Sequence, residues 1–204
     1  MGLVTTIDVM STHCRRLAAV FVASLMVALP SGADVDAWGE VDMTKHEALN
    51  QVAFPDADHI QRRTLFLEPE QQQRLSDTAH SRFESRLLTV YTGYRGNQVI
   101  GYAFIDSAIV RSKPAATLTV LARDGTLREL RILAWQEPPD YRPPQRWLQR
   151  LAGRRLDGPG SLRVGHDVDG ISGATLSVRM LTAHVRRALA IHDVLLDELS
   201  LAEH

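Results

Sequence analysis

Hydrophobic and β-branched residues between residues 86 and 134 gather in four short runs, each with the length of a β-strand. The runs cover residues 88–94, 98–106, 116–122 and 127–134. Asp124-Gly125 separates the last two runs, and an Asp-Gly pair between two strands is a strong signal for a tight hairpin. We therefore predict an antiparallel β-meander in this part of the chain.

The C-terminal residues follow a helical pattern. Over residues 176–199, apolar side chains recur every three or four positions, which predicts a long amphipathic helix with one face available to cover the sheet. Two shorter helices are predicted nearer the N-terminus. Thr44 and Glu47 have capping-box spacing, which favours a helix over residues 44–53, and Pro69 starts a polar, glutamine-rich helix expected on the surface.

The remaining segments predict one further strand and two loops. Residues 64–67 have the composition of a strand. Residues 135–146 contain four prolines, which predict an ordered loop without a regular element, and residues 153–170 form a second long loop rich in glycine and aspartate. Helices, then antiparallel strands, then a closing helix predict the α+β class, with one domain in which the meander packs against the C-terminal helix.

Charge and cysteine content narrow the functional classes. The 204 residues include 23 Lys and Arg against 24 Asp and Glu, so the formal net charge is -1 and no basic excess points to nucleic-acid binding. A single cysteine excludes an intrachain disulfide, a cysteine-built metal site and attached c-type haem. The eight histidines include no pair at the i, i+4 spacing of a helical metal site, and we predict no metal site.

The N-terminus has the layout of a secretory signal peptide. A pair of arginines precedes an apolar run at residues 17–29, and a small-x-small cleavage site follows at Ser31 and Ala33. The apolar run is shorter than the roughly 20 residues that a membrane span needs. The alternatives to a cleaved signal peptide are a retained N-terminal anchor and a buried helix. We expect translation to start at Met10 and cleavage to follow Ala33.

Removal of residues 1–33 would also remove Cys14, the chain's one cysteine. We expect the exported chain to consist of a helical N-terminal segment at residues 34–85 and a domain at residues 86–204. The expected location is the periplasm or another compartment beyond the cytoplasmic membrane, with association to that membrane as a further expectation.

The segment Asp-Gly-Ile-Ser-Gly-Ala-Thr, from Asp169 to Thr175, joins the second loop to the start of the C-terminal helix. Free backbone N–H groups at a helix start favour a phosphate. Gly173 and Ala174 leave room for such a group, and Thr175 adds a hydroxyl in the first turn. An anion site is one interpretation. The other is that Ser172 or Thr175 is an ordinary N-cap, and spacing alone favours the cap.

The pattern Asp-x-x-Ser-Gly-Ala-Thr resembles the flavinylation motif of FMN-binding domains, the family that includes the G subunit of Rnf complexes and the C subunit of the sodium-translocating NADH:quinone reductase. The order of meander, loop, motif and helix extends the likeness over about residues 86–190. The resemblance implies that a flavin transferase, working outside the cytoplasmic membrane, moves FMN from FAD to Thr175 and leaves a phosphoester bond.

The resemblance also implies roles for the neighbouring residues. Ser172, Gly173 and Ala174 would form the turn around the phosphate. Asp169 would be required by the transferase, and Gly170 would belong to the same cofactor-binding loop.

Contacts to the flavin ring are less directly implied. Family members carry a Glu-Thr-Pro-Gly loop near the ring, whereas the matching stretch here, residues 137–141, reads Glu-Pro-Pro-Asp-Tyr. Trp135, Glu137 and Tyr141 are therefore the candidates for ring contact. The alternative is a rigid surface loop with two half-buried aromatic residues.

Residues 170–174 approach the Gly-x-Ser-x-Gly nucleophile elbow, but they end in alanine and follow a polar loop, so a hydrolase is not favoured. We predict no catalytic acid, base or nucleophile. The expected function is that of an exported flavoprotein with covalent FMN on Thr175, matured by a flavin transferase and transferring electrons among membrane or periplasmic redox partners. The alternatives are an FMN-dependent reductase of a small-molecule acceptor and a non-redox exported binding module.

Overall fold

Five antiparallel strands follow one another in chain order across a single sheet. The computed structural model describes residues 42–156 and 161–196, so the predicted signal peptide lies outside the described residues. The strands are β1 (His59–Phe66), β2 (Leu87–Arg95), β3 (Gln98–Ile109), β4 (Pro114–Ala122) and β5 (Leu127–Trp135). The meander is thus confirmed, and β1 extends it by pairing with β2.

The hairpin between β4 and β5 depends on a glycine, as the Asp-Gly pair predicts. Gly125 has a φ of 81°, a left-handed value that a side chain would disfavour. A Cβ atom added there would also lie 2.5 Å from Nδ1 of His192. The turn therefore needs glycine both for its backbone conformation and for the close approach of the C-terminal helix.

Within the described ranges, four helices accompany the sheet. They are α1 (Lys45–Glu47), which continues with wider, π-type hydrogen bonding over Ala48–Ala53, α2 (Pro69–Ala79), α3 (Gln145–Gln149) and α4 (Thr175–Ile191), which continues as a π-type segment over His192–Leu196. Thr44 and Glu47 form the predicted capping box, and Pro69 lies at the start of α2. The part of the predicted C-terminal helix beyond residue 196 lies outside the described residues.

Each face of the sheet has its own core because side chains alternate along a strand. On one face, Leu118 and Val120 of β4 pack with apolar residues of the π-type continuation of α1, among them Leu49. On the other face, Ala115 and Leu121 of β4 pack with α4. The α+β class with a closing helix is therefore confirmed.

Two local expectations need correction. Helix α2 is not purely a surface helix, because Leu75 and Ala79 are fully buried and the helix packs against α4. The proline-rich loop is also more regular than expected. It contains a 3-10 turn at Pro139–Tyr141, and α3 begins directly after Pro144, whose fixed φ suits the residue that precedes a helix. In the described ranges, no helix combines the length and apolar character that a membrane span requires.

Candidate functional site

Thr175 is the first residue of α4, and it is exposed. The residue before it, Ala174, occupies the N-cap position, and no side chain of the described residues caps the helix. The first backbone bond of the helix runs from the N–H of Val178 to the carbonyl of Ala174, at 3.0 Å. Neither Ser172 nor Thr175 therefore caps the helix, and the backbone N–H groups of its first turn remain available to a ligand.

The turn before α4 is tight and open to solvent. The N–H of Ala174 donates to the carbonyl of Ile171 at 3.0 Å, and Gly173 between them has a φ of 82°. A Cβ atom added to Gly173 would meet nothing within 4 Å, and Ser172 is exposed. No described residue therefore crowds the position beside Gly173, whereas the left-handed backbone there is one that a side chain would strain.

A buried hydroxyl lies in the same first turn. Ser177 is 1% exposed, and its Oγ has no hydrogen-bond partner among the described residues. Buried polar atoms without a partner are rare, and each calls for an explanation such as a ligand or a bound water. Ser177 lies two residues after Thr175, so this end of the helix contains a hydroxyl group without a hydrogen-bond partner among the described residues.

Asp169, the first residue of the motif, is held by the short helix α3 and the residue after it. Nε1 of the buried Trp147 donates to the carbonyl oxygen of Asp169 at 2.8 Å, and Nη1 of Arg150 lies 2.7 Å from Oδ2 of Asp169. These three residues line a cleft of about 300 Å³. The motif loop is thus fixed to α3 by one buried donor and one exposed ion pair.

Glu137 has a specific structural partner, the turn between β3 and β4. Its Oε1 accepts the backbone N–H groups of Arg111, Ser112 and Lys113 at 3.0, 2.7 and 2.9 Å, and the residue is 6% exposed. The donation from Ser112 is the largest cause, followed by that from Lys113, of a pKa for Glu137 below its usual value of 4.5. The carboxylate is therefore ionised at neutral pH and fills the anion-binding concavity of this turn.

The two aromatic candidates differ in exposure. Trp135 is buried in the core beneath α4, and its Nε1 lies 3.4 Å from the carbonyl oxygen of Pro138. Tyr141 is half-buried, and the guanidinium of Arg111 lies over its ring at 4.3 Å from the centroid. Tyr141 thus offers an accessible aromatic surface, whereas Trp135 serves mainly as a core residue.

The motif and these candidates lie toward the same end of the sheet. His184 of α4 contacts Thr117 of β4, and His192 contacts the carbonyl of Arg123, so the helix runs along β4 in the same direction. Thr175 precedes His184 by nine residues, or about 13 Å of helix. This places Thr175 toward the Pro114 end of β4, where Glu137 holds the preceding turn and Trp135 pairs with Ala115.

Sequence reasoning did not identify Trp147, Arg150 or the backbone amides of residues 111–113 as parts of this region. Trp147 and Arg150 lie 22 and 19 residues from Asp169, and no local pattern links them. The signal that could have found the helix is Pro144, which precedes it. Within the described ranges, no three His, Cys, Asp or Glu side chains cluster closely enough to hold a metal ion.

Residues 112–190 match the family model of the FMN-binding domain. The matched segment begins in the turn held by Glu137 and includes β4, β5, the whole motif and nearly all of α4. The match confirms the resemblance to the FMN-binding domain family and identifies FMN as the ligand of this kind of domain.

Two curated relatives are similar to the chain. Each is the G subunit of an ion-translocating oxidoreductase complex, and they come from two strains of Cereibacter sphaeroides. Each is 29% identical over 114 residues, which make up 51% of this chain and 52% of the relative. The chain therefore spans about half the length of the curated relatives it matches.

Proposed function

We propose that this chain is an exported flavoprotein that holds one FMN in phosphoester linkage to Thr175 and transfers electrons beyond the cytoplasmic membrane. The observation that carries the proposal is the exposed residue Thr175 at the start of α4, inside the segment that matches the FMN-binding domain. The signal-peptide pattern of residues 1–33 supports export.

The residues around Thr175 fit a phosphate. Because Ala174 offers no side-chain oxygen, the first amides of α4 are left for an external acceptor, and the helix dipole favours a negative charge there. Gly173 leaves the approach open, and Ser177 adds a hydroxyl without a partner among the described residues. Ser172, Gly173 and Ala174 would form the turn around the phosphate, with Gly170 in the loop that precedes it.

In the proposed maturation step, Oγ of Thr175 bonds to the phosphorus of the FMN half of FAD. The pyrophosphate P–O bond breaks, AMP leaves, and the threonine hydroxyl loses its proton. A flavin transferase would catalyse this step, and Asp169, held by Arg150 and Trp147, would take part in its recognition. The proposed bond is a substitution, so the step needs no oxidant or reductant.

FMN would supply the redox chemistry once bound, whereas the protein supplies attachment, orientation and a local field. At the Pro114 end of the sheet, Tyr141 with Arg111 above it and the turn held by Glu137 are the groups that could orient the ring. Trp135 would support this region from the core. Partners in a membrane redox complex follow from the similarity to the G subunit of an ion-translocating oxidoreductase complex, and ion translocation itself is not part of the proposal.

The test is coexpression of the exported chain with a flavin transferase, followed by mass spectrometry and in-gel flavin fluorescence after denaturation. We expect a mass increase equal to FMN minus water, complete loss of that increase in Thr175→Ala, and no loss in the control Thr64→Ala, an exposed threonine on β1. Unmodified wild-type mass would refute covalent attachment. Sustained turnover of a small acceptor by the flavinylated protein alone would identify a reductase instead of an electron carrier.

A further inference from the structure

Strands β2 and β3 separate before either of them ends. Their pairing runs from Arg95 and Gln98 to Tyr91 and Ala103, but β2 begins at Leu87 and β3 continues to Ile109. The same parts of both strands remain paired on their other sides, β2 with β1 and β3 with β4. The sheet is therefore split along one line while both strands stay extended.

Local side chains accept from two of the backbone amides along the split, those of Leu87 and Ser107. If the register of Tyr91 with Ala103 continued, Leu87 would lie opposite Ser107. Instead, the N–H of Leu87 donates to Oγ of Ser85 at 3.0 Å, and the N–H of Ser107 donates to Oδ1 of Asp106 at 2.9 Å. These two hydrogen bonds take the place of the missing bonds between β2 and β3. The amides of Leu87 and Ser107 are therefore paired although the strands have separated.

The split opens into a cleft of about 640 Å³ between the two strands and α4, a volume typical of small-molecule sites. Apolar walls come from both strands, from the segment after α2 and from α4, and they include Phe83, Leu88, Phe104 and Ile191. At the outer mouth, Leu87 and Ile109 are 63% and 68% exposed. The cleft therefore combines apolar residues on its walls and at its mouth with polar lining residues, among them Ser85, Thr89 and Thr119.

Asp106 is a polar residue in the lining of the cleft, and Arg187 and His184 of α4 lie next to its carboxylate. Oδ2 of Asp106 lies 2.5 Å from Nη2 of Arg187 and 3.6 Å from Nε2 of His184. The side chain of Asp106 is 40% exposed, whereas those of Arg187 and His184 are 19% and 1% exposed. Oδ1 of Asp106 accepts the N–H of Ser107, and since a carboxylate has about four lone-pair positions, Asp106 retains capacity to accept from a further donor.

The charges that line the cleft cancel. Arg187 balances Asp106, and Arg82 balances Glu84 at the entrance. His184 is neutral at pH 7 because burial lowers its pKa to about 4. The 2.7 Å contact between its Nδ1 and Oγ1 of Thr117, together with the carboxylate near Nε2, favours a proton on Nε2.

We propose that this cleft is a binding site for a small, neutral aromatic molecule with one hydroxyl group, whose ring lies between the apolar walls and whose O–H donates to Asp106. Net neutrality disfavours a charged ligand, and Asp106 offers a partly exposed acceptor in the lining. The site is distinct from Thr175, which lies about 13 Å earlier along the helix than His184.

The first test uses the full chain and two probes of nearly equal shape, 2-naphthol and 2-methylnaphthalene. Titrations followed by ¹H–¹⁵N NMR should show shifts confined to residues that line the cleft. Since a hydrogen bond to a charged group contributes about 1.5–3 kcal/mol, 2-naphthol should bind at least about tenfold more tightly. Equal affinity of the two probes, shifts elsewhere on the protein, or no binding at millimolar concentration would overturn the proposal.

Two variants and a matched control locate the site. Ser107→Trp places a large side chain at the cleft mouth and should weaken 2-naphthol binding by tenfold or more, whereas Ser112→Trp, exposed on the neighbouring turn, should leave binding unchanged. Asp106→Asn should reduce the preference for 2-naphthol over 2-methylnaphthalene to less than about threefold. Undiminished binding by Ser107→Trp, or an undiminished preference in Asp106→Asn, would contradict the assigned geometry.

Discussion

The carboxylate of Glu137 reaches three successive backbone amides across a separation of 24 to 26 residues, and it does so from a buried position. Such a group stabilises the turn only while it is ionised. Its pKa is lowered in the folded protein, so the stabilisation is present above the ordinary value of 4.5 and is lost as the pH falls through the lower folded value.

We expect Glu137→Gln to lower the thermal unfolding temperature by several degrees at pH 7, because the neutral amide is a weaker acceptor for three donors. The difference from wild type should shrink as the pH falls below 4.5. Circular dichroism melts between pH 3 and pH 7 would measure both effects, and Glu84→Gln, an exposed glutamate, is the control. An unchanged melting temperature at pH 7 would show that the turn does not depend on Glu137.

His184 responds to acid in a different pH range. Burial lowers its pKa from 6.5 to about 4, despite the opposing effect of Asp106, so the folded protein binds the proton less readily than the unfolded chain does. Stability should therefore fall as the pH drops from about 6.5 to about 4, by about 3 kcal/mol in total.

Replacement of His184 by phenylalanine should flatten the pH dependence of stability between 6.5 and 4, whatever its effect on stability at pH 7. Urea unfolding at several pH values would measure the slope. His166→Phe, which changes an exposed loop histidine, should keep the wild-type slope. A His184→Phe slope equal to that of the wild type would mean that another group causes the acid sensitivity.

At the scale of elements, helix α4 was predictable, whereas its contact with α3 was not. The apolar spacing and the motif locate the helix start, and the observed start at Thr175 is one residue before the predicted one. The short helix α3 has five residues and no long apolar period. Its role comes from two side chains that meet the motif loop only after the chain has folded.

The contacts of Trp147 and Arg150 with Asp169 should contribute unequally to the free energy of unfolding. Trp147→Phe keeps a buried ring but removes the donor to the carbonyl of Asp169, so we expect a loss of about 1 kcal/mol in the free energy of unfolding. Arg150→Ala removes a pair whose side chains are 70% and 73% exposed, so we expect a loss of no more than about 0.5 kcal/mol. Urea titration of the two variants would rank them, and a larger loss in Arg150→Ala would contradict this ranking.

At the scale of the whole molecule, the matched segment contains only part of the core that packs around α4. Residues 112–190 contain β4, β5 and most of the C-terminal helix, but they lack β2, β3 and α2. Helix α4 packs against α2 and β3, and Val90 of β2 belongs to the same core. Without them, much of the apolar face of α4 would be exposed to water, at a cost of about 25 cal/mol for each Å².

We therefore expect a fragment of residues 112–190 to lack cooperative unfolding and dispersed amide resonances, whereas a fragment of residues 42–196 should show both. Thermal melts and ¹H–¹⁵N spectra of the two fragments would test this. A cooperative transition in the shorter fragment would show that β4, β5 and α4 suffice for the fold.

The sequence by itself determined the strands, the hairpin at Gly125, the long closing helix and the motif at Thr175. Each of these depends on local periodicity or on a short residue pattern, so a linear reading can detect it. Only the tertiary structure decided that Glu137 holds a distant turn, that Trp147 and Arg150 hold Asp169, and that β2 and β3 separate over a polar floor. These features join residues far apart in the chain, and their geometry depends on how the sheet and α4 pack together.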